Sequence, residues 1–243
     1  MSVIIPLSSL VHKAIPKRLE TVQCAIKDFY RDVDEIIVVE QSLDGKYYFL
    51  PHLQGVKKIE ISYPVFNKPW CLNVGVRSSK HNYVVICDAD MYSRTMQWDR
   101  LLKWMQQGYL WAFGWNKLVY TNEHQRMSLL RGRISFPGLK EVKPTPGYSE
   151  GGLNVFYKPF YWEIGGMNEC FQQIGGIDNS IISRAKTFTS NYPMFPALVF
   201  HMFHEQVKKS SRRERFRNIQ RLKRERTYPK EVAKWLKEQA QGL

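Results

Sequence analysis

Short apolar runs alternate with amphipathic stretches over the first half of the chain. Uninterrupted runs rich in β-branched residues predict buried strands, and apolar residues spaced three or four positions apart predict helices. The predicted strands cover residues 2–6, 34–40, 57–61 and 83–87. The predicted helices cover residues 19–30, 70–79 and 98–105. Strands that alternate with helices indicate an α/β fold with a mostly parallel sheet.

The pattern is weaker in the second half. Residues 116–150 show few apolar repeats and end in a stretch rich in proline and glycine, so we expect a mobile or substrate-shaping loop there. A late strand is predicted at residues 197–201. Beyond it, Phe216, Ile219 and Leu222 form a thin apolar stripe, and Val232, Trp235 and Leu236 predict a final helix that packs on the body of the protein.

Length and composition exclude several classes of protein. The 243 residues, 44% of them apolar, are enough to form a packed core rather than a disordered chain. The four cysteines lack CxxC spacing, which argues against a disulfide scaffold and favours a reducing compartment. No apolar run reaches the roughly 18 residues that a membrane span requires. The first residues do not form a signal peptide, so we expect a cytoplasmic protein.

Positive charge is concentrated near the C-terminus. The net charge is +14, and residues 208–226 alone hold ten basic and two acidic residues. A charge run is often only a solvated helix face, but one this dense attracts polyanions such as nucleic acid or an anionic membrane. We therefore divide the chain into a domain of residues 1–206 and a basic helical extension of residues 207–243. The residues expected to bind a polyanion are Lys208, Lys209, Arg212, Arg213, Arg215 and Arg217.

Asp88-Ala89-Asp90 directly follows the apolar run at residues 83–87. Ligands bind at the carboxyl ends of strands in open α/β sheets, and carboxylates at i and i+2 can approach one Mg²⁺ or Mn²⁺. A cation held there can accept phosphate oxygens and neutralise a diphosphate leaving group. The motif alone is common in turns, but its place after a buried strand favours function.

Two further positions carry candidate chemistry. His201 and His204 lie at the end of the late predicted strand, where a histidine is a candidate third metal ligand. Asp178 lies after a glycine pair at the start of a helical stretch. It is either an N-cap residue or a general base that takes a proton from an attacking hydroxyl, and spacing alone leaves both roles open.

Six segments, in order, resemble the GT-A glycosyltransferases, closest to the inverting branch of the β-1,4-galactosyltransferases and chondroitin polymerases. They are SVIIPL, EIIVVEQS, FNKPWCLNVGVRSS, YVVICDADM, the glycine-rich stretch at residues 151–184, and HMFHE. The resemblance covers most of residues 2–205. It implies a Rossmann-like GT-A fold and metal-dependent, inverting transfer of a sugar from a UDP-sugar to an acceptor hydroxyl.

The resemblance also implies roles for individual residues. Asp178 falls on the catalytic base. Asp88 and Asp90 fall on ligands of Mn²⁺ or Mg²⁺, together with His201 or His204, and the alignment does not decide between the histidines. The residues that it assigns to the nucleotide-sugar are Pro6, Glu40, Lys68, Asn73, Asp88 and Gly152.

The acceptor is less constrained. Ile177 stands where the family has a glutamate, and Gln173-Ile174 replaces the family's tryptophan, so we expect an acceptor other than the usual sugar. The positive charge favours a hydroxymethylated base in double-stranded DNA, as in phage DNA modification. Aromatic residues available to stack on such a base are Trp111, Trp115 and Tyr120. The alternative acceptor is a glycolipid or saccharide at an anionic membrane surface.

Two other function classes stay open. A non-enzymatic nucleic-acid-binding α/β module would explain the basic extension, but no helix-turn-helix, zinc-finger or RRM signature is visible. A nucleotidyltransferase also places paired acids after a strand, but it leaves the glycine-rich segment around Asp178 unexplained.

Overall fold

The fold described here is that of a computed structural model, which describes residues 1–8, 15–133, 141–143, 150–172, 175–205 and 212–241. The strands are β1 (Ser2–Ser8), β2 (Glu35–Ser42), β3 (Lys57–Ser62), β4 (Tyr83–Cys87), β5 (Met91–Tyr92), β6 (Trp111–Phe113), β7 (Lys117–Tyr120), β8 (Glu141–Val142), β9 (Leu153–Tyr157) and β10 (Leu198–His201). The α-helices are α1 (Ile15–Cys24), α2 (Lys68–Ser78), α3 (Trp98–Met105), α4 (Glu123–Leu130), α5 (Lys158–Glu163), α6 (Ile177–Phe188), α7 (Arg212–Thr227) and α8 (Pro229–Gln241). A π-helical segment, Ala25–Phe29, extends α1, and a short 3-10 helix covers Leu50–His52.

The larger sheet has the strand order β3-β2-β1-β4-β9-β6. The pairs β1–β2, β2–β3 and β1–β4 are parallel, whereas β9 is antiparallel to both β4 and β6. Helices cover both faces: Val3 and Ile5 of β1 pack in one apolar cluster with Val22 of α1, and Ile4 packs in the other with Val76 of α2. The mostly parallel α/β sheet predicted from the sequence is confirmed.

Helix α2 approaches β1 closely at Gly75. A Cβ atom at this position would lie 2.3 Å from Cγ2 of Ile4, so only glycine fits without a shift of the core. The start of α2 and the carboxyl end of β1 are also near each other, because Lys68 and Ser8 line the same cavity.

A second sheet has the order β5-β10-β7-β8. Strand β7 and helix α4 both lie within residues 116–150, so the prediction of an irregular loop is wrong for residues 117–130. Helix α4 begins at a capping box, in which Asn122 and Gln125 bond each other's backbone N–H groups. Residues 134–140 and 144–149 of the predicted loop lie outside the described residues.

Helices α7 and α8 pack against the body of the protein at α6, and α8 also contacts α5. A buried ion pair joins α7 to α6, because Arg184 Nη1 lies 2.6 Å from Glu225 Oε2. Asn168 donates a second hydrogen bond of 2.5 Å to Glu225. The boundary at residue 206 stays a prediction. Among the described residues, no helix combines the length and the hydropathy needed to cross a bilayer.

Candidate active site

A cavity of about 840 Å³ opens where β1, β4 and β10 end and where α2 and α6 begin. This is the edge at which open α/β sheets bind ligands. The cavity brings together residues that are far apart in the sequence. The predicted site residues that line it are Pro6, Lys68, Asp88, Asp90, Asp178, His201, His204 and Arg215.

Asp90 lies between the two histidines of the HMFHE segment. Its Oδ2 is 3.0 Å from His204 Nε2, and its Oδ1 is 3.7 Å from His201 Nε2. Strand β10 causes this meeting, since His201 pairs with Met91 and the Met202 N–H donates a 2.7 Å hydrogen bond to the Asp90 carbonyl. One ligand atom from each of the three side chains lies within 4.8 Å of the others.

These three side chains fit a divalent cation. Asp90 Oδ1 is buried and accepts no hydrogen bond from the described residues. The His204 Nδ1–H can donate to the Glu205 carbonyl at 2.9 Å, which leaves Nε2 facing Asp90. Two imidazole nitrogens and one carboxylate suit Mn²⁺ better than Mg²⁺, which prefers oxygen ligands.

The electrostatics of this cluster favour an ionised carboxylate. Burial alone would raise the pKa of Asp90, but His201, His204 and Arg18 hold it well below its usual value. The hydrogen bond to Asp90 raises the pKa of His204 above its usual value. Arg18 Nη2 lies 3.4 Å from His204 Nδ1, so a further positive charge borders the cluster.

Lys68 connects two carboxylates on the other side of the cavity. Its Nζ lies 2.5 Å from Asp88 Oδ1 and 2.9 Å from Asp178 Oδ1. Burial would lower the pKa of Lys68, but these two carboxylates outweigh it and raise the pKa. Lys68 is the first residue of α2 and Asp178 the second residue of α6, so two helix N-termini, which attract anions, face the cavity.

Asp178 is not the N-cap of its helix. That position belongs to Gly176, whose φ of +74° lies in the left-handed region that favours glycine. The Asp178 carboxylate is therefore directed at Lys68 rather than at the backbone of α6. Gly151 provides the space for it, because a Cβ there would lie 2.4 Å from Asp178 Oδ2.

Asp88 contacts Lys68 rather than the two histidines. Burial, reinforced by Asp178 and Asp90, raises the pKa of Asp88 to about 6 despite the opposing charge of Lys68. Its backbone N–H donates a 2.8 Å hydrogen bond to the Gly152 carbonyl. The expected roles of Asp88 as a metal ligand and of Gly152 as a donor-binding residue stay predictions.

Glu40 and Asn73 do not line the cavity. The fully buried Glu40 carboxylate accepts hydrogen bonds from the backbone N–H groups of Tyr48, Phe49 and Leu50. Asn73, a buried residue of α2, donates to the Met167 carbonyl and accepts a hydrogen bond from the Met167 N–H. The structure thus gives both residues local structural partners, and their assignment to the nucleotide-sugar stays a prediction.

The expected aromatic and polyanion-binding residues are only partly at the surface. Trp111 and Trp115 are fully buried, so the expectation that they stack on a base is wrong, whereas Tyr120 is 54% exposed and lines the cavity. Arg212, Arg213, Arg215 and Arg217 lie on α7, and Arg215 lines the cavity. Lys208 and Lys209 lie outside the described residues.

Among the cavity-lining residues that were not singled out from the sequence are Arg18 and Phe203. Arg18 lies near the start of the first helix after β1, and helices that follow a strand begin at the ligand-binding edge. Its position in the sequence could therefore have identified it as a candidate site residue. Phe203 lies between the two histidines in the sequence and is 37% exposed. Exposure of this kind is unusual for a phenylalanine, but the sequence alone does not reveal it.

No protein-family model matches the sequence, and no curated protein matches it. Solved structures share its fold. GalNAc-T7 with UDP, GalNAc and Mn²⁺ matches with a TM-score of 0.59 and 14% identity, over 90% of this chain and 47% of that one. S. aureus TarS 1-349 with UDP-GlcNAc matches with a TM-score of 0.58 and 11% identity, over 91% of this chain and 64% of that one. The chain thus spans about half and just under two thirds of these two chains, and it has the GT-A fold.

Proposed function

We propose that the protein is a metal-dependent glycosyltransferase that moves a sugar from a UDP-sugar to an acceptor hydroxyl. One observation carries the proposal: a triad of side chains that could hold a metal ion and a lysine-linked pair of carboxylates line the same cavity. Both neighbouring structures hold UDP or a UDP-sugar, and that of GalNAc-T7 also holds Mn²⁺. These neighbours support the same donor class for this chain.

Asp90, His201 and His204 would hold the cation. When bound, it supplies positive charge that neutralises a diphosphate. Lys68 adds a fixed ammonium group beside Asp88, and Arg18 adds a guanidinium beside His204. The N-termini of α2 and α6 add partial positive charge, so the cavity suits an anionic donor even though it contains three aspartates.

Asp178 is proposed as the general base. It accepts the proton of the acceptor hydroxyl while the acceptor oxygen forms a bond to the anomeric carbon. The bond from that carbon to the diphosphate oxygen breaks, and UDP leaves with the electron pair. Attack from the face opposite the diphosphate inverts the anomeric configuration. Lys68 supports this role by holding the carboxylate of Asp178 at 2.9 Å inside the cavity.

A hydroxymethylated base in double-stranded DNA, the acceptor favoured by the sequence, stays a prediction. Its support is the positive charge of residues 208–226, and such charge attracts any polyanion. Ile177, which precedes the proposed base Asp178, is 7% exposed and lines the cavity. The part of the cavity next to the base is therefore partly apolar, which is compatible with several acceptors.

The proposed function is tested by incubating the protein with Mn²⁺ and a panel of nucleotide sugars while UDP release is measured. We expect release from at least one UDP-sugar, its loss in EDTA, and an inverted anomeric centre in the product by NMR. The active-site variants Asp90→Asn and Asp178→Asn are compared with a matched control, Asp99→Asn, which changes an exposed aspartate of α3. Metal-independent release, or no UDP binding in calorimetry, would contradict the proposal.

A further inference from the structure

Helix α7 turns its acidic side chains inward and its basic side chains outward. Glu214 and Glu225 are only 7% and 2% exposed. Glu225 pairs with Arg184, and Glu214 pairs with Arg217 and Arg221. The exposed basic residues of this helix are Arg213, Arg215, Arg217, Lys223, Arg224 and Arg226. Across residues 213–227, the outer face therefore presents positive charge without an exposed carboxylate.

Two large apolar side chains lie on that basic face. Phe216 is 61% exposed and Ile219 is 46% exposed. Residues three positions apart lie on the same side of a helix, so the two form one apolar patch with basic residues around it. Removing apolar surface from water is favourable, so this patch is stabilised by a partner that covers it with apolar groups.

The basic face continues to the mouth of the cavity. Arg215, one residue before Phe216, lines the cavity, and so do the exposed aromatic side chains of Tyr120 and Phe203. A partner seated on α7 would therefore lie next to the cavity, where an acceptor must enter.

We propose that the outer face of α7 docks on an anionic lipid bilayer. We define this face by Arg213, Phe216, Arg217, Ile219, Lys223 and Arg224. Basic residues with apolar side chains among them are typical of helices that lie in a bilayer interface, with the apolar groups below the lipid phosphates. Duplex DNA also attracts the positive charge, but its backbone offers no apolar surface to Ile219.

Docking in this orientation indicates that the acceptor is carried at the membrane surface. It brings the cavity mouth to the hydroxyl groups of glycolipids or saccharides carried at the membrane surface. This second step rests on the proposed function, whereas binding of α7 to the bilayer does not.

The test is vesicle flotation of the full chain without metal or donor, at near-physiological salt of about 0.15 M. The vesicles contain phosphatidylcholine alone or equal parts of phosphatidylcholine and phosphatidylglycerol. We expect binding to the anionic vesicles only. The double variant Phe216→Ala with Ile219→Ala is expected to weaken this binding by about tenfold or more, because it removes the apolar patch and keeps the charge.

A charge variant and a matched control separate the two contributions. Lys223→Gln with Arg224→Gln is expected to weaken vesicle binding by about tenfold or more. Arg100→Gln with Lys103→Gln, which removes two exposed basic residues from α3, is expected to leave it unchanged. Thermal unfolding checks that each variant is folded, as expected for exposed positions.

Three outcomes would overturn the proposal: no binding to anionic vesicles, equal binding by the Phe216→Ala and Ile219→Ala variant, or displacement of the vesicles by a short duplex DNA. The last outcome would point to nucleic acid instead. Calorimetry with UDP and Mn²⁺ is run on the same samples. Vesicle binding without UDP binding would reject the proposed function but support the docking surface. UDP binding without vesicle binding would support the proposed function but reject the docking surface.

Discussion

Lys68 Nζ lies 2.9 Å from Asp178 Oδ1, although 110 positions separate the two residues in the sequence. The pair joins the first turns of α2 and α6, and Asp88 shares the same ammonium group from the end of β4. The proposed base is thus held by a positive charge that also faces the donor side of the cavity. Donor binding and proton transfer are therefore expected to depend on different members of this group.

Asp178→Asn is expected to reduce sugar transfer by about 10²–10⁴-fold, because the amide cannot take the proton of the acceptor hydroxyl. The affinity for UDP is expected to stay within a factor of about three, because Lys68 keeps its contact with Asp88. Transfer rates and calorimetry with UDP check the two effects separately. Turnover equal to that of the Asp99→Asn control would show that Asp178 is not the base.

Gly151→Ala is expected to reduce the transfer rate more than the stability. The added Cβ would lie 2.4 Å from Asp178 Oδ2, so the carboxylate must move away from its place beside Lys68. Gly75→Ala is the contrasting variant, since its Cβ meets Ile4 in the core. It is expected to lower the free energy of unfolding by about 1–3 kcal/mol and to leave the kcat of the folded fraction unchanged. Equal effects of both variants on kcat would refute this distinction.

Glu225→Ala is expected to lower the free energy of unfolding by about 3–5 kcal/mol, because it leaves the buried Arg184 guanidinium without its charge partner. Denaturant unfolding measures the effect. Arg224→Ala, at the exposed neighbouring position, is expected to change it by less than about 0.5 kcal/mol. If Glu225→Ala were as mild, α7 would contribute little to the stability of the body.

The exposed and the buried cysteines are expected to react with a thiol reagent at different rates. Burial raises the pKa of Cys71 to about 12 and that of Cys87 still further above its usual value. Both therefore stay neutral thiols at pH 8, and their thiolates form only as the pH rises toward those values. Cys170 is exposed, and a colourimetric thiol reagent is expected to label it first in the native protein. A fast phase that persists in Cys170→Ser would contradict this assignment.

Strands β1, β2 and β4 of the larger sheet were predictable because nearly all of their residues are buried, on both faces of the sheet. The run at β4 ends at Cys87 as predicted, and the aspartates follow it at the ligand-binding edge. Helix α4 was missed because Arg126 and Ser128 are among its buried residues, so it lacks a clear apolar period. Its capping box was the signal present in the sequence.

Many of the residues that line the cavity were singled out from the sequence, but their pairings were not. Asp88 and Asp90 are two positions apart, yet Asp88 contacts Lys68 and Asp90 contacts His204. Their side chains diverge because the chain turns between β4 and β5, which sequence spacing does not specify. The apolar stripe of α7 is divided: Leu222 packs against the core, whereas Phe216 and Ile219 face solvent, and a buried ion pair of Glu225 also joins the helix to the body.

The most direct test of the account is calorimetric titration of UDP into the wild-type protein in Mn²⁺ and in EDTA, repeated with Asp90→Asn. Asp90 provides the carboxylate between the two histidines, and its loss is expected to abolish the metal-dependent part of UDP binding. We predict tight UDP binding in Mn²⁺ for the wild type and for the Asp99→Asn control, and weak binding in EDTA and for Asp90→Asn. Equal UDP affinity with and without Mn²⁺, or an unchanged affinity in Asp90→Asn, would contradict the metal-assisted donor site.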